Sequence, residues 1–166
     1  GYSVLYIDSE LNTRVFTARL IAHLTKIEFS RIRSGKYTDE EAERIKAALK
    51  WIKEQKFTHK YMPIFDPNGV YSVVKKSMHA QDTQVLIVDY FKASDSGSGD
   101  GAAYEVYSNL GKFVDMVKNV LCGDLGLIGL GAAQTTATGK LADSAKIARN
   151  ASTIMIIDNK TPEEIQ

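Results

Sequence analysis

Gln84-Val85-Leu86-Ile87-Val88-Asp89-Tyr90 is the stretch on which the fold turns. Its apolar residues, mostly β-branched, stand in one uninterrupted row that ends abruptly in an acid. A run this short and continuous reads as a strand buried on both faces. Open α/β sheets built from such strands place their ligands beyond the carboxyl ends of the strands. Asp89 stands at that end. A carboxylate fixed there by a rigid strand can hold Mg²⁺, directly or through water, beside a nucleotide phosphate. The plainer alternative is an acid that caps the next turn.

The rest of the composition is that of an ordinary globule. A length of 166 residues suggests one domain over 1–166 with room for a real core. A net charge of +1 argues neither for nor against nucleic acid, so any basic surface must be local. A single cysteine, Cys122, excludes an internal disulfide and fits a reducing, cytoplasmic setting. It follows an apolar helical stretch and is expected to be buried and inert. No apolar run approaches the roughly 20 residues of a membrane span, and no signal peptide is visible. His23, His59 and His79 are scattered and form no metal-ligand spacing. Trp51, near the end of a helical stretch, reads as a packing residue before a base-stacking one.

Working outward from the Asp89 strand, the chain alternates strands and helices. Ser3-Val4-Leu5-Tyr6-Ile7-Asp8-Ser9-Glu10 is a second apolar run ending in acids. Asn12 is an N-cap candidate, and Val15, Phe16, Leu20, Ile21 and Leu24 recur at helical spacing to about Thr25. Positions 29–35 read as a linker. Thr38 and Glu41 form a capping box before a long helix with Ala42, Ile45, Leu49 and Ile52 on its apolar stripe. Lys60 to Phe65 reads as a third strand ending near Pro63, Pro67-Asn68-Gly69 as a turn, and Val70 to Ala80 as a helix. After Tyr90, positions 92–101 are rich in Ser, Gly and Asp and read as a flexible loop. Such a loop is a plain connector or, following a strand tip, a binding loop. Ala103 to Leu121 reads as a helix, Leu125 to Ala133 as a glycine-diluted strand ending in Gln134, Thr135 to Ala145 as a polar loop, and Ser152 to Ile157 as a last strand. This alternation implies an α/β fold with a mostly parallel, twisted sheet and helices on both faces.

Three strands thus end in Glu10, Asp89 and Gln134. Placed side by side, they form the set that ATP hydrolysis needs. A carboxylate polarises the attacking water, an acid helps hold Mg²⁺, and a neutral polar group senses the γ-phosphate. The residues are assigned to these roles in that order, with the Asp89 strand in the form of a Walker B strand. Asp8 competes with Glu10, because strand alternation puts both on one side. The phosphate cradle itself is missing, since no G-x-x-x-x-G-K-[ST] occurs in the chain. Gly139-Lys140 has neither the spacing nor the strand-to-helix frame and reads as a loop.

With these motifs in view, the chain resembles the C-terminal RecA-like motor domain of DnaB-type hexameric replicative helicases. Ile7-Asp8-Ser9-Glu10 is similar to the strand bearing the family's catalytic glutamate. Arg19-Leu20-Ile21-Ala22 matches the arginine-bearing helix that follows it. Arg31-Ile32-Arg33-Ser34-Gly35, followed by an acid-rich stretch, matches the family's R-I-R-[ST]-G and is the most specific signal. Leu86 to Tyr90 matches its Walker B strand, Ala132-Ala133-Gln134 its sensor strand, and Asp143 to Ile147 with Asn150-Ala151 the loop before the last strand. The likeness runs over nearly the whole chain.

The resemblance implies a RecA-like P-loop NTPase fold, incomplete at both ends, with the P-loop lying before Gly1 and the basic residues that reach a neighbour's site beyond Gln166. It implies ATP and Mg²⁺ as cofactors, single-stranded DNA as track, a hexameric ring, a primase or helicase loader as partner, and no membrane. Lys140, Lys146 and Arg149 are the DNA-contact candidates, because a groove that tracks a backbone needs cations on loops. Arg31 and Arg33 are phosphate contacts or a solvated turn. The chain departs from the family at Ala145, Ala148 and Arg149, which replace glycine, glutamate and glutamine. Asn159, with Lys160 beside it, falls where the last strand usually ends in arginine. Asp8 and Ser9 are closer to RecA recombinases, which leaves a recombinase ATPase as the alternative. A non-hydrolysing RecA-fold scaffold is the alternative from a different class.

Overall fold

The structure, a computed structural model, describes residues 1–91, 102–134 and 145–157. Its centre is a sheet of parallel strands in the order β2-β1-β3-β4. The strands are β1 (Val4–Asp8), β2 (Phe57–Tyr61), β3 (Val85–Asp89) and β4 (Ile128–Gly131). One face of this sheet is the main core. Leu5, Ile7, Leu86 and Val88 are buried there against Val70 and Val74 of α4 (Pro67–Gln81) and Val117 and Leu121 of a π-helical segment, Met116–Asp124. That segment continues α5 (Ala102–Asp115), whose Phe113 joins the same cluster.

The opposite face is covered over β1 and β2 by α1 (Thr13–Thr25). There Tyr6, Phe16, Phe57 and His59 form an aromatic cluster, with the Phe16 ring stacked on His59 at 4.0 Å. Behind it α1 packs on α3 (Asp39–Glu54) through Ile21 and Ile45, with Ile27 of the segment after α1 in the same cluster. Over β3 and β4 this face is open, and Ile128 and Leu130 are each 53% exposed.

The capping box is present, with Thr38 Oγ1 accepting from the Glu41 N–H and Glu41 accepting from the Thr38 N–H. The Arg31-to-Gly35 stretch is not a linker but a short helix, α2 (Phe29–Ser34), closed by Gly35 at φ 72°. A glycine suits that left-handed cap because it has no Cβ to clash. Arg31 makes a two-pronged ion pair with Glu41, at 2.8 and 2.6 Å, and donates from Nε to the Lys36 carbonyl. The side chain therefore pins α2 to the start of α3.

Several element boundaries differ from the expectation. The third strand is Phe57–Tyr61, upstream of Lys60 to Phe65, because only Phe57 and His59 alternate onto the covered face beside Val4 and Tyr6. Pro67-Asn68-Gly69 opens α4 and is not a turn, since Asp66 caps the Gly69 N–H and a proline at the first helical turn forfeits no bond. The helix expected over Ala103 to Leu121 widens into π geometry at Met116 and runs on to Asp124, and β4 is correspondingly shorter than Leu125 to Ala133. Ser152 to Ile157 forms no strand among the described residues, because no strand lies beside it to supply a ladder. Ile157 there is 95% exposed. The loop expected at 92–101 and positions 135–144 of the second loop lie outside the described residues. Ala145, expected in that second loop, begins α6 (Ala145–Asn150), which docks Ile147 on Leu110 and Val114.

Candidate functional site

The chain leaves β1 by way of α1, α2 and α3 toward β2 on one side. It leaves β3 by way of α5 and the π-helical segment toward β4 on the other. The two connections cover opposite faces of the sheet. The carboxyl ends of β1 and β3 therefore form the switch point of the sheet, the place at which open α/β sheets bind ligands. Asp8 and Asp89 stand there in register on neighbouring strands.

The two aspartates differ in how far they are committed. Asp8 is buried, and its Oδ1 accepts from the Glu10 N–H at 2.8 Å and the Leu11 N–H at 2.7 Å. Its Oδ2 lies 3.3 Å from His59 Nε2. Every oxygen of Asp8 is thus engaged within the protein. Glu10, lifted by the turn that Asp8 ties down, is exposed. Asp89 is half-buried, and its Oδ2 accepts from the Tyr6 hydroxyl. Burial first, then the bond to Asp89 and the charges of Asp89 and Asp8, pushes the Tyr6 phenol well above its usual range. Tyr6 therefore remains a donor, and the other oxygen of Asp89 has no hydrogen-bond partner among the described residues. The Ser9 N–H donates to the Asp89 carbonyl at 2.8 Å, which ties the two strand tips together. The peptide bond between Asp89 and Tyr90 is cis.

Beyond β4 the Ala132 N–H donates to the Val88 carbonyl and the Phe91 N–H to the Ala132 carbonyl, at 3.0 and 2.9 Å. Gln134 follows on that same edge and is exposed. Glu10, Asp89 and Gln134 accordingly share one edge of the sheet. Lys146 and Arg149 are on α6, with Arg149 exposed, and Lys140 lies outside the described residues. Arg31 is spent on Glu41, while Arg33 is exposed. His59 is the residue that sequence reasoning passed over. Its signal was the alternation Phe57-Thr58-His59, which puts the imidazole on the covered face.

For Mg²⁺, the residues fit a shared site and not a protein cage. Among the described residues no group of three or more His, Cys, Asp or Glu could hold a metal by itself. Mg²⁺ beside phosphates commonly takes one or two carboxylates, with water and phosphate supplying the rest. The unengaged oxygen of Asp89 meets that need.

A family model describing the C-terminal domain of DnaB-like helicases matches residues 1–164. The chain belongs to the DnaB-like helicase C-terminal domain family. Among solved structures, one of a DnaB-like replicative helicase and its interactions with primase matches with a TM-score of 0.71 at 11% identity, covering 90% of this chain and 38% of that one. A solved ATPase domain matches with a TM-score of 0.73 at 13% identity, covering 90% of this chain and 57% of that one. At such identities these two show the fold, which is the RecA-like helicase ATPase fold. The chain spans well under two thirds of either relative. No curated protein matches it in sequence. Among the described residues of this DnaB-like domain, no helix is long and apolar enough to cross a membrane.

Proposed function

We propose that this DnaB-like domain is part of an ATP-driven replicative helicase that moves along single-stranded DNA and unwinds duplex DNA. The observation that carries the reading is the switch point at the tips of β1 and β3, where Asp89 and the turn that carries Glu10 stand side by side. Glu10, exposed and free of internal partners among the described residues, polarises the attacking water. Asp89, oriented by Tyr6, helps hold Mg²⁺ beside the β- and γ-phosphates, where the ion's charge neutralises that of the phosphates. Gln134 senses the γ-phosphate from the β4 side. Lys140, Lys146 and Arg149 contact the DNA backbone. The engagement of both Asp8 oxygens favours Glu10 over Asp8 for the water.

The phosphate cradle must come from another segment. The outer edge of β4 has no partner among the described residues, and the sheet face beside it is apolar and open. A strand and helix carrying the P-loop, placed N-terminal to Gly1, would pair with β4, cover Ile128 and Leu130, and offer a ladder to Ser152 to Ile157. A basic group from the next subunit of a hexameric ring would complete each site. A primase or a loader is the partner class, and the cytoplasm the compartment.

The test is ATP turnover with and without single-stranded DNA, for the complete protein and for the 166-residue chain. DNA-stimulated turnover by the complete protein and none by the chain alone is the expected result. Robust turnover by the chain alone would overturn the need for an added cradle. No turnover by the complete protein would favour the scaffold.

A further inference from the structure

His59 belongs to β2, far from Glu10 in sequence, yet it grips both ends of the turn that carries Glu10. The imidazole is buried, with its side chain 4% exposed and that of Asp8 2%. Nε2 lies 3.3 Å from Asp8 Oδ2, at the last residue of β1. Nδ1 lies 3.0 Å from Thr13 Oγ1, at the first residue of α1. A carboxylate can only accept, so a ring proton is assigned to Nε2, and Nδ1 is hydrogen-bonded to the threonine hydroxyl. The Phe16 ring stacks on the imidazole at an interplanar angle of 18° and fixes its plane. Between these anchors lie only Ser9, Glu10, Leu11 and Asn12, with the Glu10 and Leu11 N–H groups on the other Asp8 oxygen.

We propose that His59 is a positioning residue for Glu10. By bridging Asp8 and Thr13 it fixes the Ser9-to-Asn12 turn, and so the place from which Glu10 meets the attacking water. The inference rests on the assignment of Glu10 in the preceding subsection. In this role His59 acts on the turn and not on the nucleotide. Its effect reaches catalysis through geometry alone, where displacement by about 1 Å can cost on the order of 100-fold in rate.

The experiment uses the complete protein that carries this chain. ATP turnover, nucleotide affinity and amide exchange at Glu10 and Leu11 are measured for the wild type, His59→Phe, His59→Gln, Thr13→Val, Glu10→Gln and the double variant His59→Phe/Glu10→Gln. Phenylalanine keeps the stack on Phe16 and removes both ring bonds. The expected result is a fall in kcat of roughly 10- to 100-fold for His59→Phe, with nucleotide affinity within about twofold of wild type. Amide exchange at Glu10 and Leu11 should quicken. His59→Gln, which can donate to Asp8 and accept from Thr13, should recover most of the turnover. Thr13→Val, at an exposed position, should quicken the same exchange without unfolding the sheet. The double variant should show the same quickened exchange as His59→Phe, because the turn is held by His59 and not by the Glu10 side chain.

Unchanged turnover in His59→Phe, with Glu10→Gln inactive, would overturn the inference and leave the Glu10 assignment standing. Unchanged amide exchange in Thr13→Val would overturn it equally. Turnover that survives Glu10→Gln would remove the catalytic assignment first, and this inference with it.

Discussion

Asp8 and Glu10 are two residues apart and meet opposite environments, one buried with every oxygen bonded and the other exposed beyond the strand tip. Sequence spacing left them interchangeable, because alternation puts them on one side. What separates them is the local bonding of Asp8 to the amides that follow it, and an imidazole from another strand, which no local pattern reveals. Asp89 was legible because a continuous apolar run led directly to it. Its partner Tyr6 was not, since pairing in register only appears once β1 and β3 are neighbours. The Tyr6 phenol has a definite pH consequence. Its folded pKa lies above the unfolded value of about 10, so its contribution to stability is complete below that value. It is lost as the pH rises above it, because the unfolded chain gives up the proton first. Denaturation midpoints measured from pH 8 to 11 should therefore fall more steeply for wild type than for Tyr6→Phe. Equal slopes would mean that the phenol is not held by Asp89. Cys122 is pushed up by burial, against a smaller opposing effect of Lys118. It should react with thiol reagents more slowly than a free cysteine.

At the scale of elements, the central apolar strands and the capped helices were the legible parts. β1 and β3 announce themselves as apolar runs, and α3 by Thr38 and Glu41. The capping box predicts that Thr38→Ala destabilises the domain by about 1 kcal/mol, to be read from the denaturant midpoint. β2 was misplaced because it lies at the edge, where only alternate residues are covered, while Ile64-Phe65 just beyond it offers a stronger apolar signal. α2 was missed because six residues are too few for periodicity to speak. Its stability comes from the Arg31–Glu41 pair and Gly35. β4 carries glycines for a steric reason. A Cβ at Gly131 would lie 2.2 Å from the Phe91 ring, and one at Gly129 would lie 2.6 Å from Cys122 Sγ. The Phe91 ring packs edge-on against Phe113 and is not a flexible chain end. Gly131→Ala should thus cost roughly 1–3 kcal/mol by overpacking. Leu86→Ala, in the fully buried centre, should cost about 2–5 kcal/mol through the cavity it leaves. Both values are checked by equilibrium unfolding, and a neutral Gly131→Ala would mean that Phe91 can swing away.

For the whole molecule, the parallel order β2-β1-β3-β4 does what no single motif can, bringing Glu10, Asp89 and Gln134 to one edge. Among the described residues the outer side of β4 has no partner strand, and the run from Ile154 to Ile157 is exposed. A site completed by a neighbouring subunit also requires that turnover per subunit rise with protein concentration until rings are full. Concentration-independent turnover would mean that each subunit works alone. The most direct measurement sets nucleotide affinity beside ATP turnover in the complete protein for Glu10→Gln and Asp89→Asn. Glu10→Gln should abolish turnover while largely sparing nucleotide binding, because its loss falls on the transition state. Asp89→Asn should weaken Mg²⁺-dependent nucleotide binding as well. A Glu10→Gln protein that keeps its turnover would contradict the account and pass the role to Asp8.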